Sequence, residues 1–582
     1  MNFLATCRHF FSIAPIFFSA AAMADVNNTL QKAELARRVD ALFSAYAADS
    51  PGCALGVILN GELVYKKGYG NASLEFGVPI DPEKTLFAIG STSKQFTAAA
   101  ILLLVQDGKI SLNDDIRKHL PEMHNYGTAI SVDQMLSHTS GLRDYTVLMT
   151  MGTGVREVDY SSDAEAMAVI LRQRSLNFAP GSHYMYSNTN YFLLAKIVER
   201  VSHRNFGKFL QDRIFQPLGM HHTRLRDKYD VVVAQRAMGY APVGGGGFSM
   251  KDVNWEQVGN TGVLTTVSDL TKWDQNFYES RVGGEWLVKQ MQENAVRSDG
   301  VALSYARGLI VDGAYRGMRS VHHAGDTAGF HAQLLRLPDE RFSAMVLCNV
   351  DGVDQTLLSF KVADLFLAEE IKKRGATASN QTAKDAVIAP ARKTMSSESE
   401  LASYTGVYLD RYAQSLHTIE LKDGQLWYIA PQRERVALEQ SGEQRFRLPR
   451  KTENTFQFSK QDKRQLLNIV YRSGEPVELD RVRPIQTDYI HLEDYTGTYF
   501  SPEINVHWTI VAKDGKLFKQ VQREATKPMN PVFEDAFTVT VDDQDLLRFT
   551  RDSRQRITGF IVDNPRVLNV VFSRERSGVQ ID

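Results

Sequence analysis

The final third of the chain contains two copies of one sequence pattern, and this repeat limits the folds available to that region. The segment YTGVY at 404–408 recurs as YTGTY at 495–499, an offset of 495 − 404 = 91 residues. The tripeptide KDG at 422–424 recurs at 513–515, with the same offset of 91 residues. Segments that keep one offset over such a span indicate a duplicated structural unit. Alternating apolar residues around Asp-Gly turns indicate hairpins, so each copy is predicted to be a small antiparallel β-barrel.

The length of the chain predicts several domains, because 582 residues exceed what a single hydrophobic core supports. An Ala-, Ser-, Thr- and Lys-rich stretch without periodicity separates the repeated region from the first part of the chain and is predicted to be a linker. The predicted organisation is a signal peptide at 1–24, a catalytic domain at 25–375, the linker at 376–400, and β-barrel domains at 401–486 and 487–582.

The amino terminus has the features of an export signal. Arg8 and His9 precede an apolar run at 10–24, and this run ends in Ala22-Met23-Ala24. A short basic region, an apolar region and an A-x-A site are typical of a cleaved secretory signal peptide. An uncleaved membrane anchor is the alternative, and the short run with these flanks favours cleavage. No later stretch is long enough to cross a bilayer, so we expect a periplasmic or secreted bacterial protein without a stable membrane span.

Charge and cysteine content exclude several classes of function. The chain has 67 Lys and Arg against 68 Asp and Glu, so no basic excess indicates a nucleic-acid partner. Cys7 lies in the predicted signal peptide, while Cys53 and Cys348 lie in apolar, strand-like runs. Buried free thiols are therefore expected for this pair, with a single bridge left open. No Cys/His cluster has metal-ligand spacing, so neither a metal nor a cofactor is predicted.

The first part of the chain predicts an α+β domain, in which helices flank a mostly antiparallel sheet. An amphipathic helix at 31–48 is followed by a hairpin around Asn60-Gly61, and the domain closes with an amphipathic helix at 357–371. Three strand-like runs precede that last helix, at 320–324, 332–337 and 342–349. The sheet is thus assembled from both ends of the segment.

One tetrapeptide combines a nucleophile with a base. Ser91 ends an extended segment, and Lys94 lies three residues later at the start of an apolar helix predicted from Thr97 to about Gln106. Residues at i and i+3 share a helical face, so the amine can reach the hydroxyl. A serine hydroxyl is a weak nucleophile until a neighbouring base takes its proton, and Ser-x-x-Lys supplies that base. Read alone, the tetrapeptide also fits a helix cap with a solvated lysine.

Two further short motifs follow Ser91-x-x-Lys94 in order. Tyr186-x-Asn188 lies on a loop between a turn and a helix, and His323-x-Gly325 ends a predicted strand. His138, in the loop segment 137–142, is a possible base, but a structural histidine that ties the loop by hydrogen bonds is the preferred interpretation.

The three motifs in this order, with the signal peptide and the α+β pattern, resemble the penicillin-recognising serine hydrolases. This group includes class C-like β-lactamases, DD-peptidases, related esterases and D-aminopeptidases, and the resemblance covers about 31–370. The segments 93–97, 140–145 and 180–184 look most similar to the D-aminopeptidase branch, as do His-x-Gly and the two barrels after the catalytic domain.

The resemblance implies catalytic roles for three residues. Ser91 is the acylated nucleophile, Lys94 its activating partner, and Tyr186 the proton shuttle between Ser91 and the leaving group. Whether Lys94 is a neutral base or a cation that depresses the pKa of Tyr186 depends on burial and neighbours, and both alternatives stay open at this point.

Four residues acquire binding roles from the same resemblance. Asn188 hydrogen-bonds the substrate amide, His323 lines the binding strand, and Gly325 gives access to it. The backbone N–H of Asp326 joins that of Ser91 in an oxyanion hole.

The resemblance implies a serine hydrolase that acts through an acyl-enzyme on small D-amino-acid-containing peptides, amides or esters. A β-lactamase or carboxylesterase using the same residues is one alternative, and a penicillin-binding sensor or scaffold without turnover is another. His323 stands where β-lactamases usually have a lysine, and a mostly uncharged histidine is less suited to a β-lactam carboxylate. The oligomeric state and the role of the barrels are not predicted.

Overall fold

A computed structural model describes residues 20–154, 156–374, 396–430, 435–448, 451–461, 464–470, 476–483, 491–521, 525–539 and 545–575. Residues 1–19 of the predicted signal peptide and 376–395 of the predicted linker lie outside these ranges. A short helix, Glu398–Ser403, begins within the last residues of that linker.

A six-stranded antiparallel sheet organises the first domain. Strands from the two ends of the segment are neighbours in it: Cys53 pairs with Cys348 and Leu59 with Phe342. The predicted α+β class is confirmed. In spatial order the strands are Ile310–Tyr315, Met318–Thr327, Phe330–Leu337, Phe342–Cys348, Cys53–Leu59 and Glu62–Tyr69.

Helices cover both faces of this sheet. Ala20–Leu42 and Gln355–Phe366 pack on one face, around a core that includes Phe43, Leu335 and Val362. None of the helices within the described ranges has the length and apolar composition needed to cross a lipid bilayer. The larger core on the other face holds helices Lys94–Gln106, Val132–Leu136, Tyr145–Thr153, Asp163–Arg172, Asn188–Ser202, Phe206–Leu210, Val267–Glu279 and Gly284–Gln292.

Short strands connect these helices. Phe87–Ala88, which leads to Ser91, pairs with Val263–Thr265, and that strand also pairs with Arg224–Leu225. Two further two-stranded sheets are formed by Asn71–Ser73 with Val78–Pro79 and by Tyr240–Pro242 with Phe248–Met250.

A disulfide joins two neighbouring strands of the six-stranded sheet. Cys53 and Cys348 are bonded across 295 residues of sequence, and both are fully buried. The expectation of free thiols is therefore wrong. The bond depends on the register of two strands that are distant in sequence, and local composition carries no information about that register.

The first repeat forms a nine-stranded antiparallel sheet with a core of its own. Its two edge strands, Val436–Ala437 and Glu439–Gly442, are consecutive in the chain and separated only by Leu438, so the sheet curls round towards itself. The strands between these edges are, in spatial order, Gln425–Ile429, Leu416–Lys422, Gly406–Asp410, Pro476–Arg481, Arg464–Val470, Lys451–Gln461 and Arg445–Leu448.

The second repeat is a closed antiparallel barrel, and it repeats details of the first. The Tyr408 hydroxyl donates to the Tyr404 carbonyl at 2.7 Å, and the Tyr499 hydroxyl donates to the Tyr495 carbonyl at 2.8 Å. The predicted barrels are thus present as related units. The strands are Gly497–Ser501, Val506–Lys513, Lys516–Val521, Lys527–Phe533, Ala536–Val539, Leu546–Arg551, Ile557–Asn564 and Val567–Arg574.

The second barrel packs directly on the catalytic domain and shares its larger core. The Trp508 indole donates to the Met151 carbonyl at 3.2 Å, which places helix Tyr145–Thr153 against the barrel. The buried Arg143 guanidinium donates to Glu503 of the barrel at 2.8 Å. The barrel therefore lies beside the segment that leads into helix Tyr145–Thr153.

Replacing both cysteines, as Cys53→Ala with Cys348→Ala, should destabilise the catalytic domain without changing its fold. Loss of a bridge that closes so long a loop lowers the free energy of unfolding by about 2 to 5 kcal/mol, while the backbone ladder between the strands remains. Urea unfolding followed by tryptophan fluorescence measures the difference. A reducing agent should lower the midpoint of the wild type and leave that of the double variant unchanged; equal midpoints for the two oxidised proteins would contradict the prediction.

Candidate active site

Ser91 lies on a tight turn that is held against the strand Met318–Thr327. The turn is the 3-10 segment Gly90–Ser93, and the α-helix begins at Lys94, three residues earlier than predicted. Gly90 has φ +47°, and a Cβ there would lie 2.7 Å from the Asp326 nitrogen. A Cβ on Gly325 would lie 1.9 Å from the Ile89 carbonyl oxygen. Gly325 thus makes room for the protein's own backbone rather than for a ligand, and it brings the Asp326 N–H next to the nucleophile's turn.

The amine of Lys94 is completely buried, with its nitrogen surrounded by three oxygen atoms. Lys94 Nζ is 3.0 Å from Ser91 Oγ, 3.0 Å from Asn188 Oδ1 and 2.9 Å from the Asn260 carbonyl oxygen. Burial lowers the pKa of Lys94 well below its ordinary value, and the nearby Asp144 carboxylate opposes this effect only in part. A neutral amine donates its two hydrogens to the two acceptor-only oxygens, which leaves its lone pair directed at the Ser91 hydroxyl.

Asn188 is oriented by Asp144, a residue without an assigned role in the sequence. Asp144 Oδ2 accepts from the Asn188 backbone N–H at 2.9 Å and from Asn188 Nδ2 at 3.1 Å. The other oxygen of Asp144 caps helix Tyr145–Thr153 by accepting from the Thr146 N–H at 2.9 Å. Since Nδ2 faces the carboxylate, Oδ1 faces Lys94, and the amide orientation is fixed.

The phenol of Tyr186 completes the group around Ser91. Lys94 Nζ lies 4.8 Å from the centroid of the Tyr186 ring. Burial raises the pKa of Tyr186, and its hydrogen bond with the Ser91 hydroxyl opposes that change. The phenol is consequently protonated at neutral pH. The structure thus brings Ser91, Lys94, Tyr186 and Asn188 together in one place.

His323 is held neutral by a chain of hydrogen bonds that begins at His138. His138 Nδ1 accepts from the Ser187 N–H at 3.1 Å, so His138 Nε2 carries hydrogen and donates to the Tyr305 hydroxyl at 3.2 Å. The Tyr305 hydroxyl donates to His323 Nε2 at 3.0 Å. His323 Nδ1 donates to the Ala324 carbonyl at 2.6 Å.

Both ring nitrogens of His323 are therefore occupied within the protein. Burial, aided by the neighbouring Lys94, lowers the pKa of His323 to about 3. The imidazole supplies neither a positive charge nor a spare N–H donor to a ligand at neutral pH. His138 lies at the far end of the chain of hydrogen bonds, away from Ser91, and ties the loop around Ser187.

A cavity of about 310 Å³ opens over these residues. Two acidic residues line it, and Asp326 Oδ1 is engaged by His331 at 2.7 Å and Gln355 at 2.8 Å. Burial raises the pKa of the other, Glu157, although hydrogen bonds from the Ala328 N–H and Thr327 act against the change. Within the described ranges, no group of three or more His, Cys, Asp and Glu side chains is arranged to hold a metal ion.

Four residues of the site were not predicted from the sequence. Asp144 precedes a helix, which predicts a cap but not a contact with Asn188. Asn260 contributes a backbone carbonyl, and any residue type has one. Tyr305 and Arg566 come from segments without a motif, and Arg566 belongs to the second barrel. Only Asp144 left a signal in the sequence, and that signal was its capping position.

Ser91 lies beside a buried lysine on an α+β domain with an antiparallel sheet. This combination is typical of serine hydrolases that use a Ser-x-x-Lys pair. The beta-lactamase family profile matches residues 39–365, which is more than half of the chain. The chain belongs to the beta-lactamase family, and the predicted resemblance is confirmed.

Two D-aminopeptidases are similar in sequence to part of the chain. A D-aminopeptidase of Brucella anthropi is 30% identical over 319 residues, which are 54% of this chain and 59% of that protein. A D-aminopeptidase of Gluconobacter oxydans is 30% identical over 315 residues, 54% of this chain and 58% of the relative. The match thus spans less than two thirds of the length of these relatives.

Among solved structures, the octameric penicillin-binding protein homologue from Pyrococcus abyssi superposes with a TM-score of 0.53. The superposition covers 86% of this chain and 99% of that chain, with 19% sequence identity. At this identity the similarity shows a shared fold.

The depressed pKa of Lys94 makes a prediction about the pH dependence of acylation at Ser91. The rate rises with pH as Lys94 loses its proton, so the rise should lie well below the ordinary lysine value of 10.5. The measurement is the rate of labelling by a fluorophosphonate probe at constant ionic strength, with Lys94→Ala as the control expected to react slowly. A rate that keeps rising up to about pH 10 would show an ordinary, solvated lysine.

Proposed function

We propose that this protein is a serine hydrolase that acts through an acyl-enzyme on small peptides, amides or esters containing a D-amino acid. The observation that carries the proposal is the position of Lys94 Nζ, 3.0 Å from Ser91 Oγ, with its other two contacts on acceptor oxygens. A neutral amine in that position can take the hydroxyl proton directly.

The first half of the reaction forms the acyl-enzyme. Ser91 Oγ attacks the substrate carbonyl carbon while its proton passes to Lys94. The carbonyl oxygen becomes an oxyanion beside the backbone N–H groups of Ser91 and Asp326, where fixed dipoles stabilise the developing charge. The close approach of the Asp326 backbone to the turn of Ser91, where a Cβ on Gly90 would lie 2.7 Å from the Asp326 nitrogen, supports this assignment.

Departure of the leaving group requires a proton on its nitrogen. Tyr186 is a protonated phenol beside Ser91, which suits it to deliver that proton and to recover one from Lys94. Water then attacks the ester carbonyl by the same route in reverse, with its proton passing to the base and Ser91 regaining its own.

The preference for D-amino-acid substrates rests on the relatives. Both relatives described above are D-aminopeptidases, and the family profile match at 39–365 contains Ser91, Lys94 and Tyr186. The buried, neutral state of His323 removes the positive charge that the third motif gives a β-lactamase, which supports the same choice.

We also propose that the protein acts in the periplasm or outside the cell. The basic, apolar and A-x-A segments of residues 1–24 support export. The disulfide between Cys53 and Cys348 supports it independently, because disulfides form and persist in oxidising compartments.

A panel of substrates with a Ser91→Ala control tests the proposed reaction. We expect D-alanine amide to be hydrolysed with a higher kcat/KM than L-alanine amide, a simple ester or a chromogenic cephalosporin. Ser91→Ala should lower turnover by about 10³-fold or more and leave the melting temperature unchanged. Turnover that survives the substitution would disprove the nucleophile, and a dominant cephalosporin rate would disprove the substrate class.

Tyr186→Phe tests the proton donor through the chemistry of the leaving group. An amide nitrogen must be protonated before it departs, so kcat for the amide should fall by about 10²- to 10⁴-fold. A p-nitrophenyl ester should lose much less, because p-nitrophenolate leaves without a proton. Tyr184→Phe, on the same loop, serves as the matched control. Equal losses on the amide and the ester would contradict the role of Tyr186 as donor.

A further inference from the structure

Arg566 of the second barrel reaches into the wall of the catalytic cavity. It lies on the turn between strands Ile557–Asn564 and Val567–Arg574, and it lines the cavity that contains Ser91. Its guanidinium carbon lies 4.9 Å from the centroid of the Tyr186 ring. Arg566 also lines an adjoining cavity of about 600 Å³ between the catalytic domain and the two barrels. The side chain thus stands where the two cavities meet.

The backbone of this turn is fixed on the catalytic domain. The Arg566 carbonyl accepts from the Asp144 N–H at 3.3 Å and from Asn177 Nδ2 at 3.0 Å. The Leu568 N–H donates to Asn177 Oδ1 at 2.8 Å. These bonds use backbone atoms of the turn, so the placement of residue 566 does not depend on its side chain.

The guanidinium remains available to a ligand. Its closest carboxylate oxygen is Asp144 Oδ2 at 3.8 Å, beyond hydrogen-bond distance, and the side chain is 46% exposed. Asp144 Oδ2 already accepts two hydrogen bonds from Asn188. A guanidinium has five N–H donors in a planar fork that matches a carboxylate.

The side chains that line the cavity offer an anionic group one cationic partner among the described residues. Among the described residues that line it, Arg566 is the only arginine or lysine. His323, which occupies the position of the family's cationic third motif, has both nitrogens bonded within the protein. A negatively charged group on a substrate therefore finds its cation on the barrel and not on the binding strand.

We propose that Arg566 binds the carboxylate of the leaving group, so that the preferred substrates are peptides with a free carboxylate next to the scissile bond. The inference rests on the function proposed above, in which Tyr186 protonates the leaving nitrogen. The guanidinium lies 4.9 Å from the ring of Tyr186, the residue proposed to protonate the leaving nitrogen, so we place it on the leaving-group side of the carbonyl. The α-carboxylate of a leaving amino acid is two bonds from that nitrogen, which puts it within reach of Arg566.

A matched pair of substrates isolates this contact. D-alanyl-glycine and D-alanyl-glycinamide share the acyl group and differ only in the charge of the leaving group. The wild type should favour the carboxylate by about 10- to 100-fold in kcat/KM, the range expected for hydrogen bonds to a charged group. Arg566→Gln should bring the ratio close to one by slowing the carboxylate substrate much more than the amide, and Arg566→Lys should retain part of the preference.

A second pair separates the inference from the D-preference. Benzoylglycyl thioesters of thioglycolate and thioglycolamide carry the same difference in charge on an achiral acyl group. If D- and L-alanyl substrates react equally but Arg566→Gln abolishes the carboxylate preference in this pair, the inference is supported and the D-preference is wrong. If the ratio is the same in the wild type and the variant, the inference is overturned and the proposed function stands. If the wild type turns over neither pair, both are overturned.

Arg297→Gln provides the matched control for the loss of a cation. Arg297 lines the adjoining cavity but not the one that contains Ser91, and it forms an ion pair with Asp299. Its substitution should leave both substrate ratios unchanged. A change as large as that of Arg566→Gln would show a general effect of surface charge and overturn the inference.

Discussion

The catalytic arrangement depends on keeping one amine out of water. Transfer of a lysine ammonium into a protein interior costs several kcal/mol, so the group gives up its proton where the surroundings do not repay that cost. The apolar helix Lys94–Gln106 provides the burial, and Asn188 and Asn260 provide two acceptors but no full negative charge. The side chain of Asn188 lies between Asp144 and Lys94, so the Asp144 carboxylate orients Asn188 and does not hydrogen-bond the amine. With these neighbours, Lys94 can be a neutral amine that accepts a proton.

The groups proposed for catalysis are separate from the charged group proposed to bind the substrate. The groups around Ser91 are neutral when ready to react, since burial acts on Lys94, Tyr186 and His323 alike. A permanent cation beside them would hold Lys94 deprotonated but would also attract its own counter-ion into the site. Arg566 is contributed by another domain and lines the open part of the cavity, and its positive charge adds to the lowering of the pKa of Lys94 by burial. The second barrel thus contributes a residue to the wall of the catalytic cavity.

Local patterns in the sequence predicted much of this molecule, and contacts across the fold were beyond them. The hairpins and flanking helices have periodicities that are visible in short windows, and the repeat is visible as two matching segments 91 residues apart. The positions of Ser91 and Lys94 are three residues apart, so their meeting follows from helical geometry alone. By contrast, Tyr305 meets His323 and Cys53 meets Cys348 only because strands adopt one register. Arg566 reaches the cavity only because the second barrel packs on the catalytic domain, and no sequence motif predicts that packing.

The pairing of Cys53–Leu59 with Phe342–Cys348 also joins two strands that are synthesised far apart in time. A ribosome completes the first strand long before the last one, so the sheet waits with an open edge for almost 300 residues of synthesis. Everything between them, including the helices around Ser91, must form as an insertion whose two ends are still apart. Such distant pairing makes folding slow and leaves a strand edge exposed to other chains meanwhile. The edge of strand Cys53–Leu59 is therefore open to pairing with another chain until Phe342–Cys348 occupies it.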